Sequence, residues 1–167
     1  MSRRRSRPRP AAPAPTATDP AAPCPCGLSA PYGECCARYH RGPSPAPTAE
    51  ALMRSRYSAF AVRDRGYLLR TWHPDTRPTR LDLDPHVRWR RLEILSTTGG
   101  SPFHTEGTVA FRAHYTERGR PGAPEVLEEH SRFARHEGAW VYLDALGASD
   151  TGGDASDAGR RERPARR

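Results

Sequence analysis

At 167 residues the chain has room for one domain of ordinary size and a small appendage, and not for two large cores. Its formal charge of +8 reads as a nucleic-acid signal until it is located: residues 1–9 hold five Arg and residues 160–167 five more against Glu162, so the tails carry +9 and the remainder −1. A compact basic face on the folded part is therefore not supported, and the Arg-rich tails offer phosphate only a weak, salt-dependent attachment. All 27 Lys-plus-Arg positions are Arg, which a compositional bias of the coding DNA explains as well as an anion-binding role does.

The charged N-terminus is followed by Pro, Ala and Thr rather than an apolar stretch, so it does not read as an export signal. No later run approaches the ~20 apolar residues of a membrane helix. The expected location is the cytoplasm, where thiols stay reduced.

In chain order, residues 1–22 have no apolar periodicity and are expected to be a disordered tail. Four Cys fall within residues 23–42, a candidate small unit, and Pro-punctuated chain follows. At Thr48 the character changes. Thr48 suits a helix cap, Glu50 sits in the first turn, and Leu52, Met53, Tyr57, Phe60 and Ala61 recur at three- and four-residue intervals, as in an amphipathic helix. A second helical piece is expected over 67–72, stopping by Pro74.

From Arg88 onward the period falls to two. In 108–115, Val109, Phe111, Ala113 and Tyr115 alternate with Thr108, Ala110, Arg112 and His114, the pattern of a strand with one buried face. Further strands are expected over 88–96, 126–135 and 139–144, with Glu137-Gly138 as the turn between the last two. Helices first and antiparallel strands afterwards indicate an α+β domain over 46–147, helices packed on one face of a curved sheet. Residues 148–167 read as a second disordered tail.

The cysteines are spaced Cys24-Pro25-Cys26, eight residues, then Cys35-Cys36. Zinc takes four ligands at tetrahedral vertices, and four thiolates meet that need without redox chemistry. Both pairs are closer than in an ordinary zinc finger, so the backbone must turn sharply, and Gly27 and Gly33 give it that freedom. Arg38 and Arg41 stand ready to offset the negative charge of the four thiolates. The competing readings are crossed disulfides, which a reducing compartment opposes, and thiol redox, for which a Cys-x-x-Cys is missing. His40 is a spare ligand beside a filled shell and reads as surface decoration.

Cys-Pro-Cys-Gly, then Tyr32, then Cys-Cys resembles the SEC-C motif, the zinc knuckle of the SecA translocation ATPase tail. The resemblance implies that Cys24, Cys26, Cys35 and Cys36 ligate the metal and that the knuckle contacts a protein partner. Where the motif usually continues Gly-Ser-Gly-Lys, this chain has Gly27-Leu28-Ser29-Ala30. The run from Pro47 through Arg54-Ser55-Arg56-Tyr57 to Phe60, then Tyr67-Leu68, Thr71-Trp72-His73-Pro74 and Glu129-His130-Ser131-Arg132-Phe133, is similar to the YchJ family of small bacterial proteins. That resemblance covers about residues 24–145 and implies an NTF2-like central domain, a cone of helices against a bent sheet. It brings no reaction with it.

Such a cone leaves a hollow, and Arg54, Tyr57, Trp72, His73, Arg132 and Trp140 are the residues expected to face it. Trp72 and Trp140 read first as core, Tyr57 as part of the apolar stripe, and His73 as a helix-end cap. Arg54 and Arg56, two apart on a helix, point in different directions. Arg54 and Arg132 facing inward together would receive an anionic small molecule. For acid/base chemistry the strand residues Glu93 and Glu129 are better placed than Asp64, Asp75, Asp82 or Asp84, although pairing with Arg is the commoner fate. The reading that follows is a non-catalytic adaptor, with an isomerase- or dehydratase-like enzyme and a nucleic-acid or ribosome-associated factor as alternatives.

Overall fold

The computed structural model describes residues 18–42 and 44–147. Most of the N-terminal tail and the whole of residues 148–167 lie outside the described residues. Pro20 and Ala22, which sequence reading assigns to the tail, belong to the small unit: their carbonyls accept from Gly33 N and Tyr32 N at 2.8 Å each.

Three helices precede four strands: α1 Ala37–Arg41, α2 Ala49–Val62, α3 Arg65–Arg70, β1 Val87–Gly99, β2 Glu106–Glu117, β3 Glu125–His136 and β4 Ala139–Ala145. Thr48 caps α2 as expected, its hydroxyl accepting from Ala51 N at 3.0 Å. α3 starts earlier than the periodicity indicates, because the Asp64 carboxylate accepts from Tyr67 N at 2.9 Å and sets the first turn there. Trp72 falls outside that helix. Tyr142 N donates to Thr71 O at 2.8 Å and His73 N to Tyr142 O at 2.7 Å, fastening the chain after α3 onto β4.

The strands form one antiparallel meander in the order β1-β2-β3-β4. Register shifts at Trp89/Arg91, Ile94/Ser96 and Arg132/Phe133 mark bulges, which bend a sheet and strengthen its twist. Glu137 and Gly138 both have positive φ, 51° and 80°, as a two-residue hairpin turn requires. At Gly107 any β-carbon would lie 2.5 Å from the Gly100 backbone, so the β1–β2 hairpin closes only with glycine there.

Val109, Phe111, Ala113 and Tyr115 are all buried, confirming the alternation of β2. The concave face of the sheet receives Leu52 of α2, Leu68 of α3, Trp72 and Leu81, against Phe133 and Trp140. Each such side chain contributes roughly 1.5–3 kcal/mol on removal from water. Helices against one face of a curved antiparallel sheet make an α+β domain, with the cysteine unit at its N-terminal side.

Candidate functional site

The cysteine unit is built from turns. Pro23 pairs with Pro31 across the loop, Gly27 N donates to Cys24 O at 3.1 Å with Gly27 at φ 83°, and Ala37 N donates to Tyr32 O at 3.0 Å as α1 begins. These turns bring the Sγ atoms of Cys24, Cys26, Cys35 and Cys36 within 4.8 Å of one another, all four buried and none in a disulfide. The separations are 3.6 Å for Cys26 to Cys35 and 4.0 Å for Cys35 to Cys36. A tetrahedron with zinc–sulfur bonds of about 2.3 Å has edges of about 3.8 Å, whereas a disulfide needs about 2.05 Å. The donor set therefore fits a tetrahedral soft-to-borderline cation.

Without a cation the thiols of Cys24, Cys35 and Cys36 do not ionise alike. Contacts from Cys26 and Cys36 lower Cys24, burial pushes Cys35 up to about 12, and contacts with Cys24 and Cys26 raise Cys36. A bound divalent ion removes that conflict, since metal-bound thiols are deprotonated.

The unit is seated on α2 and α3. His40 is 7% exposed and is neither a ligand nor surface decoration. Its Nε2 lies 2.8 Å from Ser55 O, which only accepts, so Nε2 carries the proton and Nδ1 accepts from Tyr32 OH at 2.7 Å. Burial lowers the His40 pKa, in keeping with this neutral tautomer. Its ring also lies 4.5 Å from that of Tyr67. Nothing in the spacing of His40 from the cysteines signals this role, because two of its partners, Ser55 and Tyr67, come from α2 and α3.

Arg54 turns toward the cysteines and not into the hollow. Its Nη1 donates to Cys26 O at 3.1 Å and its Nε to Glu50 at 2.8 Å. Ser58 Oγ lies 3.7 Å from Cys24 Sγ, and Val62 packs on the cysteine cluster, so residues 54, 58 and 62 form one seat along α2.

The neighbouring face of α2 lines a small, partly open hollow against the sheet. Met53, Arg56, Tyr57 and Phe60 form the helix side, and Trp89, Phe111, Leu127, Glu129, Ser131 and Tyr142 are among the sheet residues opposite. Burial raises the Tyr57 pKa, so its hydroxyl keeps its proton at neutral pH. Glu129 Oε1 accepts from Ser131 Oγ at 2.6 Å and from Tyr142 OH at 3.3 Å.

A family model for the YchJ middle NTF2-like domain matches residues 48–145. The chain belongs to the YchJ family. It is 63% identical over 122 residues to a UPF0225 protein of Streptomyces coelicolor, covering 73% of this chain and 93% of the relative. A UPF0225 protein of Deinococcus radiodurans is 46% identical over 123 residues, with 74% and 88% covered. Among solved structures, a SEC-C motif containing protein from Rhodopseudomonas palustris superposes with a TM-score of 0.63 at 30% identity, covering 73% of this chain and 95% of that one. Another, from Psychrobacter arcticus, gives 0.61 at 25% identity, with 75% and 82% covered.

Within this family fold, Tyr57 is the one residue of the expected six that lines the hollow described above. Trp72 and Trp140 are core, 1% and 2% exposed, and Trp140 Nε1 donates to Pro47 O at 3.2 Å. His73 Nδ1 accepts from Asp75 N at 3.2 Å, with its ring 5.2 Å from that of His136. Arg132 pairs with Asp144 on the solvent side of the sheet, so Arg54 and Arg132 do not converge on an anion. Arg56 is the interior guanidinium instead, donating to Leu68 O at 2.8 Å and Thr71 Oγ1 at 3.0 Å. Glu93 pairs with Arg91 at 2.7 Å, which leaves Glu129 as the hollow's carboxylate among the lining residues. No helix among the described residues is long and apolar enough to cross a membrane.

Proposed function

We propose that the chain is a zinc-binding, non-catalytic adaptor. In this reading Cys24, Cys26, Cys35 and Cys36 hold one zinc, the knuckle offers a docking surface to a protein partner, and the hollow admits a small molecule. The carrying observation is the convergence of four buried thiols at tetrahedral spacing in a unit with little else to bury. Bound there, zinc supplies a cross-link without redox chemistry. Leu28, 48% exposed on the knuckle, supports the docking role as an apolar group with solvent around it. Elemental analysis of the purified chain tests the metal: one zinc per chain is expected, and none in a Cys26→Ser/Cys36→Ser variant. Folded, metal-free wild-type protein would contradict the reading.

A second reading, an isomerase- or dehydratase-like enzyme, is favoured by the Glu129 carboxylate in a hollow shared with Tyr57. A carboxylate in such a site is a candidate general base. Turnover that disappears in Glu129→Gln while ligand binding persists would replace the adaptor by the enzyme.

A further inference from the structure

Zinc with four thiolates is a doubly negative centre, and here all four cysteines are buried, so donors around the sulfurs are needed to hold that charge. Arg38, placed by the sequence to help, instead donates to Tyr39 OH at 2.7 Å and lies over the Tyr39 ring. Arg54 is held by Cys26 O and Glu50. A side chain from outside the knuckle that does reach a sulfur is Ser58, whose Oγ lies 3.7 Å from Cys24 Sγ.

Ser58 belongs to α2 and is fully buried, as is Ser55 three positions earlier. Serine suits a helix interior poorly, and a buried hydroxyl without a partner destabilises the fold. Ser55 meets that requirement by donating to Leu52 O at 2.8 Å and pairing with Tyr67 OH at 2.6 Å. The partner of Ser58 is the Cys24 sulfur. Between a hydroxyl and a free thiol either atom can donate. A metal-bound thiol has lost its proton and only accepts, so in a loaded site the Ser58 hydroxyl is the donor. Arg54, one turn before Ser58, donates to Cys26 O at 3.1 Å, so α2 meets both members of the first cysteine pair, one at its carbonyl and the other at its sulfur.

Resting on the zinc-binding reading, we propose that Ser58 is a positioning residue for the metal: its hydroxyl donates to the Cys24 thiolate, so that a helix of the sheet domain sets how tightly the knuckle keeps its zinc. The metal's surroundings are then completed from outside the cysteine unit.

Two variants of the full chain test it, Ser58→Ala and Ser55→Ala. The first removes the donor to sulfur, and the second removes the bond to Tyr67 while leaving the Ser58 contact in place. Zinc affinity is read by competition with a chromophoric chelator, and the sulfur environment by the sulfur-to-metal charge-transfer band of the cobalt(II)-loaded protein. Ser58→Ala should bind zinc roughly tenfold more weakly. Its cobalt band should move to longer wavelength, because a thiolate without a donor gives up its electrons more easily. Ser55→Ala should keep the wild-type affinity and band even if it melts at a lower temperature. Equal changes in both variants would mean general loosening of α2 and overturn the proposal, as would an unchanged Ser58→Ala. If Ser58→Ala fails to fold, wild-type protein loaded with cadmium-113 decides: a slowly exchanging Ser58 hydroxyl proton coupled to the metal through Cys24 is expected, and a freely exchanging, uncoupled one overturns the bond. Wild-type protein that takes up none of the three metals overturns the zinc-binding reading itself, whereas a loaded site indifferent to Ser58 overturns this proposal alone.

Discussion

The knuckle buries Tyr32, Ala37 and its four cysteines, whereas the sheet domain buries a connected cluster of seventeen apolar residues, among them Trp72, Phe133 and Trp140. A cluster of the second size stabilises a fold by removing apolar surface from water, and one of the first size does not. Under the zinc-binding proposal each region has a separate physical origin: ligation for the knuckle, burial for the domain. They nevertheless share α2, one side of which seats the cysteines through Arg54, Ser55 and Ser58 while an adjacent side lines the hollow. Loss of metal should therefore disturb the domain without unfolding it.

The largest effect should come from the cysteines. Structural zinc contributes on the order of 10 kcal/mol to small ligated units, so Cys26→Ser with Cys36→Ser should abolish the knuckle's fold. Backbone amide signals of residues 20–42 should collapse to unfolded positions in NMR spectra. The sheet domain should keep its circular dichroism but melt about 5–10 °C lower, the loss of its docked partner. An unchanged melting temperature would show that the two regions are independent.

Next in size is Phe133→Ala. Phe133 is 1% exposed in the centre of the core, and truncation of such a ring costs about 3–5 kcal/mol. Denaturant unfolding should lose that much stability while the zinc content stays at one per chain. Zinc lost in parallel would show that burial in the domain holds the knuckle together.

His40→Gln should cost about 1–3 kcal/mol, because Tyr32 OH and Ser55 O each lose a buried partner. The residue also carries a pH signature. Burial lowers the folded-state pKa below the ordinary 6.5, so in the window below 6.5 the unfolded chain binds more protons than the folded one. The His40 contribution is intact above 6.5, is lost as pH falls toward the folded value, and levels off beneath it. Tyr32 and Tyr67 contact the ring, and Asp64, Arg70 and Cys24 act on it through charge. His40→Gln should reduce the slope of stability against pH just below 6.5 relative to wild type. An identical slope would remove His40 from the coupling.

The smallest effect belongs to Arg54→Ala. Its bond to Glu50 is a part-exposed i,i+4 pair worth a few tenths, and its bond to Cys26 O adds the rest of about 1 kcal/mol. Glu50→Ala should cost less than Arg54→Ala in the same urea titration, since it leaves the contact to the knuckle in place.

Local features were legible in the sequence wherever chemistry and spacing sufficed. Two close cysteine pairs announced a cluster of four thiols, Thr48 announced a helix start, Glu137-Gly138 a turn, and the alternation over 108–115 a strand. Tertiary pairings were not legible. α2 is packed on more than one side, so its pattern did not tell Arg54, which reaches the knuckle, from Arg56, which lines the hollow. His40 is fixed by Ser55 and Tyr67, and a histidine four positions after a filled ligand set looked idle. Glu129 stood out as a strand carboxylate, but only the meander brings Ser131 and Tyr142 to one of its oxygens.

X-ray absorption at the zinc edge on the purified, folded chain tests the metal centre most directly. Four sulfur scatterers at about 2.3 Å are expected. A shell containing nitrogen or oxygen, or a knuckle that stays folded with no zinc in the sample, would contradict it.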